Sequence, residues 1–173
     1  MTTPIALPEP YDQLGDAKQL LLDYLDYYRS AIARKVDGVP DAELRRTRLS
    51  SGWSPLELVK HLVYMERRWL EWGFRGVPVE EPWGDRGPDG RWAVGTDETI
   101  AELVSRLQAG GERTRRIVEA ASLPDVAATG GRFGGDERPP TLAWILFHVL
   151  QEYARHAGHL DIVRELIDGS VGE

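Results

Sequence analysis

Between the start signal Pro139-Pro140-Thr141 and the stop signal Asp168-Gly169, apolar residues return every three or four positions from Leu142 to Ile167. An amphipathic helix satisfies that spacing and a strand does not. Three further stretches obey the same rule. The first runs from about Asp12 to Asp37, with Leu14, Ala17, Leu21, Tyr24, Leu25, Tyr28 and Ile32 on one stripe, and is stopped by Gly38 and Pro40. The second opens on Ser54-Pro55-Leu56-Glu57 and continues to Trp72 or Phe74. Ser at the cap, Pro at the first helical position and Glu at the third form a capping box. The third follows Gly95-Thr96-Asp97 and reaches about Ala121, with Gly110-Gly111 in its middle, where a kink could fall. No alternating pattern is long enough to build a sheet. The expected fold is an all-α four-helix bundle, with a long crossover between the second and third helices.

Length and composition agree with one domain covering residues 1–173: the chain is 42% hydrophobic, enough for a sizeable core. Two connections, residues 75–95 and 122–140, are rich in Gly and Pro yet carry Trp83, Trp92 and Phe133. Loops longer than about 12–15 residues usually serve as lids or crossovers. Residues Met1 to Pro10 hold prolines at positions 4, 8 and 10 and no basic segment, unlike a secretory signal. No apolar run approaches the ~20 residues that span a bilayer. A soluble cytoplasmic protein without membrane attachment is expected.

Several chemistries drop out. The chain has no Cys, which excludes a disulfide scaffold, a thiolate metal site and a cysteine nucleophile. A net charge of −7 argues against nucleic acid as a partner. The run Thr129-Gly130-Gly131-Arg132-Phe133-Gly134-Gly135 lacks the Lys-Ser/Thr of a phosphate loop, and no Gly-x-Ser-x-Gly elbow occurs.

The four histidines are unevenly placed. His148, His156 and His159 lie in the fourth stretch and His61 in the second. At about 100° per residue, His159, Glu152 and His156 fall roughly 20°, 40° and 80° from His148, within one arc. His148 and His156 stand ~12 Å apart along the axis, too far to share a metal. Glu152 with His156, His148 with Glu152, or His156 with His159 could do so, and His61 is the one histidine elsewhere that could add a third ligand. Two His and one Glu leave an open position on zinc or a similar ion, the pattern of a catalytic site. Spacing equally allows core or surface histidines and a Glu152 facing water.

The segment Gly52-Trp53-Ser54-Pro55-Leu56-Glu57-Leu58-Val59-Lys60-His61-Leu62 and the run from His148 to Asp161 resemble the DinB/YfiT-like superfamily. There, a His on the second helix joins two ligands one turn apart on the last helix, and His156-Ala157-Gly158-His159 fits the final ligand position. The resemblance extends over the whole chain and is nearest to an uncharacterised, actinobacterial-type branch. It implies a metal at His61, Glu152 and His156, with His148 and His159 as neighbouring groups. Zinc is the first choice, and nickel, iron or manganese also suit imidazole and carboxylate. Glu152 stands where many members have His, but the mycothiol-dependent maleylpyruvate isomerases use a His, Glu, His set in their metal-binding domain. Those isomerases carry an additional C-terminal domain not found here after the fourth stretch. The activity implied is therefore the superfamily's general one: metal-dependent S-transfer from an exogenous low-molecular-weight thiol of the mycothiol type to a small electrophile. Trp83, Trp92 and Arg155 are candidates for the substrate cleft, and no catalytic residue is singled out. The resemblance also implies a homodimer. The alternative is a non-catalytic, metal-binding or purely structural dimeric helical module.

Overall fold

The structure is a computed structural model that describes residues 8–13, 15–135 and 137–172. Leu14, assigned above to the first stripe, and Pro4 of the N-terminal segment lie outside the described residues.

Helix α1 spans Ala17–Val36. It begins five residues later than expected because Asp16 is its cap, accepting from the backbone N–H groups of Lys18 and Gln19. A short helix α2, Asp41–Leu44, follows. It escaped sequence reading because a single turn carries no periodicity, and it buries Leu44. Helix α3, Pro55–Arg67, starts at the expected capping box: Ser54 accepts from the Glu57 N–H, and the Glu57 carboxylate accepts from the Ser54 N–H. Residues 68–74, expected as plain continuation, instead form a π-helical segment, Arg68–Phe74. Helix α4, Ile100–Glu119, has a second capping box, Thr99 with Glu102. It runs through Gly110-Gly111 without interruption. Helix α5, Leu142–Asp168, is capped by Thr141 and ends at Gly169, whose φ of 76° is the left-handed conformation that favours glycine.

The fold is all-α: the described residues contain no strand, only isolated bridges between Arg86 and Trp92 and between Val126 and Thr141. Helix α1 packs chiefly on α5, and α3 chiefly on α4. One core runs between them, built from Leu25 and Ile32, Leu58 and Leu62, Leu103 and Leu107, and Ile145 and Val149. Helix α3 is central, because every residue from Pro55 to Glu66 except Glu57 is buried. It therefore buries Lys60, His61 and Glu66 along with its aliphatic residues, and buried polar groups require partners. The long crossover leaves the π-helical segment, lies against α3 at His61 and Lys60, and leads to α4. No helix of the described residues is long and apolar enough to cross a membrane.

Glu66 finds its partners across the bundle. Arg29 of α1 grips both its oxygens, and the Tyr153 hydroxyl of α5 donates to one of them. Burial and the Glu66 charge hold the Tyr153 hydroxyl well above its ordinary pKa. Gly111 of α4 makes room for this network: a Cβ there would lie 2.9 Å from Arg29 Cδ.

Candidate metal centre

The central position of α3 aims His61 at α5, and the 3.6-residue period of α5 aims Glu152 and His156 back at it. The Glu152 Oε2 atom lies 3.7 Å from His61 Nε2 and 3.3 Å from His156 Nε2. One donor atom from each of the three residues lies within 4.8 Å of the others. Donors bound at about 2.1 Å to a tetrahedral ion stand about 3.4 Å apart. Both carboxylate–imidazole spacings are close to that value, and the three residues could hold a divalent ion. The two imidazoles bond Glu152 and overcome its burial, holding its carboxyl far below the ordinary range. Glu152 is thus an anion at neutral pH, as a ligand must be.

The remaining edges of both rings are held. His61 Nδ1 is 2.9 Å from Asp85 Oδ2, and Asp85 is completely buried. Burial alone would raise the Asp85 pKa, but bonds from His61 and Arg68 lower it. Arg68 reaches both carboxylate oxygens, at 2.6 and 3.0 Å. An ionised carboxylate can only accept, so Asp85 takes the His61 Nδ1–H and fixes the ring with Nε2 on the Glu152 side. His156 Nδ1 meets His159 Nδ1 at 3.3 Å. Trp92 stacks on His61 with ring centres 4.1 Å apart, and its edge meets His156. These contacts close one side of the group.

The other residues singled out in the sequence take distinct places. His148 Nε2 lies 3.9 Å from the second Glu152 oxygen, and its ring packs between Trp69 and Trp144. Burial and the charge of Arg132 lower its pKa, although Glu152 opposes them. His159 packs near Trp53, and burial together with His156 lowers its pKa. Trp83 stands apart from the three central residues, with Arg68 4.4 Å and Arg86 4.5 Å from its ring centre. Arg155 is exposed on α5, and its charge acts on His159. A groove of about 520 Å³ between α1 and α5, lined by Tyr24, Tyr28, Trp144, Phe147, His148 and Gln151, reaches the site at His148.

Asp85, Arg68 and Arg132 were not found by sequence reading. Asp85 and Arg132 sit in irregular loops, where no period reports direction, and Arg68 looked like any charge at a helix end. The one available signal was the presence of Trp83 and Trp92 in a loop otherwise made of Gly, Pro and charges.

Residues 20–169 match the family model described as Mycothiol-S-transferase. The crystal structure of a conserved protein from Enterococcus faecalis has the same fold, with a TM-score of 0.65 and 18% identity over 91% of this chain and 100% of that one. No curated protein matches.

Proposed function

The chain belongs to the mycothiol-S-transferase family, within the DinB/YfiT-like metal-binding superfamily, and from that premise we propose that it is an enzyme. It would transfer the sulfur of an exogenous thiol, mycothiol or a close analogue, to a small electrophile. The observation that carries this reading is the convergence of His61, Glu152 and His156 from two helices onto one point. The ion they would hold is zinc, which favours two imidazoles, one carboxylate and an open position. A divalent ion there supplies one piece of chemistry, which is to lower the pKa of a bound thiol.

The chain's own residues supply the rest. Asp85 orients His61, and Trp92 keeps water from one side of the rings. His148, held uncharged by its surroundings at neutral pH, stands at the groove mouth as an acceptor for the thiol proton. The groove admits substrate from the α1 side. In the reaction the thiolate sulfur bonds the electrophilic carbon, and the leaving group departs with its electron pair. With no Cys in the chain, the sulfur must arrive with the substrate.

The test is metal content by plasma mass spectrometry on untagged protein prepared without chelator, with His61→Ala and Glu152→Ala beside it. About one equivalent per chain in the wild type, lost in both variants, is expected. Mycothiol transfer to a model electrophile should vanish in the same variants. Protein that takes up no zinc, nickel, iron(II) or manganese would overturn the reading in favour of a structural helical module.

A further inference from the structure

The three arginines nearest Trp83 differ in their partners. Arg68 is neutralised, because Asp85 accepts two of its N–H groups. Among the described residues Arg86 and Arg132 have no carboxylate within ion-pair distance, and their guanidiniums lie over aromatic rings. Arg86 lies 4.5 Å from the Trp83 ring centre. Arg132 lies 4.1 Å from that of Trp69 and 5.7 Å from that of Trp83. In a chain with a net charge of −7, two guanidiniums with no ion pair among the described residues, beside a third, are a local inversion of charge.

Both are carried on anchored backbone. The Arg132 N–H donates to the Trp72 carbonyl at 3.0 Å, and the Ala128 N–H to the Phe74 carbonyl at 2.9 Å. The loop approaches so closely that a Cβ on Gly131 would lie 1.9 Å from the Trp72 oxygen. Arg86 pairs with Trp92 across an isolated bridge. The cations are therefore set in place before any ligand arrives, which lowers the entropy lost on binding. Holding a half-buried guanidinium near two others is costly. Burial, Arg68 and Arg86 all push the Arg132 pKa down from its ordinary value. Arginine does not escape by losing its proton, so an arriving anion relieves the cost.

The cluster adjoins the candidate metal centre. Arg132 covers Trp69, Trp69 packs on His148 at 4.2 Å between ring centres, and His148 meets Glu152. On the other side Arg68 and Asp85 lead to His61. We propose that Arg86 and Arg132, gathered at Trp83, form a subsite for the carboxylate of an organic-acid electrophile. The proposal rests on the transferase reading for its location in the reaction. A thiolate repels an anionic electrophile as the two approach, and paired guanidiniums beside the path offset that repulsion.

Binding is tested first on metal-free protein, where a carboxylate has no ion to bind. Benzoate and benzamide, equal in shape and different in charge, are titrated while the indole N–H signal of Trp83 is followed by NMR, assigned with Trp83→Phe. Benzoate is expected to move that signal and to bind at least tenfold more tightly than benzamide. Arg132→Gln and Arg86→Gln should each weaken benzoate at least fivefold, and Arg132→Lys should recover part of the loss. The other indole signals report the fold, and the exposed Arg86 gives a variant with little structural burden. Equal affinity for acid and amide, or benzoate binding indifferent to both Gln substitutions, would overturn the subsite.

The second measurement compares mycothiol transfer to chloroacetate and chloroacetamide on the metal-loaded enzyme. The new S–C bond forms as chloride leaves with the C–Cl electron pair, and the thiol proton passes by way of His148 to solvent. Relative to the uncatalysed ratio, wild type should favour the acid at least tenfold in kcat/KM, and the preference should collapse in Arg132→Gln. Transfer to both without preference for the acid would overturn the proposal and leave the transferase reading standing. Transfer to neither would remove the transferase reading, while charge-selective benzoate binding would still establish the anion site.

Discussion

Asp85 touches His61 on one side and Arg68 on the other, so it couples the candidate centre to the buried charge of the crossover. Outer carboxylates that fix a ligating imidazole are typically worth about 10–100-fold in metal affinity. Asp85→Asn should weaken zinc binding by that order, measured by chelator competition. The same residue sets a pH dependence. Its pKa is lower folded than unfolded, so its contribution to stability is present above the ordinary carboxylate range. It is lost as pH falls through the folded value. In urea unfolding of metal-free protein, the stability gap between wild type and Asp85→Asn should be full at pH 7 and narrow below about pH 4. A gap constant down to pH 3 would mean that Asp85 acts by packing rather than by charge. None of this was legible beforehand. His61, Glu152 and His156 could be suspected because helical angles carry information and the superfamily resemblance chose among the pairs. Asp85 sits where the chain has no period, and only the folded crossover brings it to His61.

At the scale of elements, regular helices announce themselves by stripe and cap, while departures from regularity do not. Both Ser54 and Thr141 proved to be caps, whereas the Thr99–Glu102 box went unread beside the earlier signal at Gly95-Thr96-Asp97. The π-helical Arg68–Phe74 was invisible, since seven residues cannot distinguish one period from another. Gly110-Gly111 read as a weak point where a kink could fall, and α4 continues through both. The pair differs in its surroundings. A Cβ at Gly110 meets nothing closer than 3.9 Å, while one at Gly111 strikes Arg29, which Glu66 holds in place. Gly110→Ala should therefore stabilise the protein by up to about 1 kcal/mol through helix propensity. Gly111→Ala should destabilise it by about 1–3 kcal/mol through overpacking against a locked side chain. Chemical denaturation of the two variants checks the opposite signs. Equal shifts would mean that the Arg29–Glu66–Tyr153 network yields freely.

Across the whole molecule, two helices supply the candidate ligands, and two long connections add side chains that no helical period places there. Residues 75–99 bring Asp85, Arg86 and Trp92, and residues 120–141 bring Arg132 and Phe133. Composition reported the acidic average and missed the basic enclave, because net charge is a sum and binding depends on local arrangement. The length of the connections was visible, but their convergence depends on contacts between residues far apart in sequence. The crossover thus resembles a clasp fastened at its middle. Asp85 is buried against His61, while Pro88 to Arg91 stand exposed at its tip. Anything that immobilises His61 should also hold the clasp shut and shield its tip from digestion. Trypsin should cut after Arg91 several-fold more slowly in zinc-loaded protein than in metal-free protein, and Asp85→Asn should abolish the difference. The site would then have a second readout that requires no substrate: the lifetime of one peptide bond.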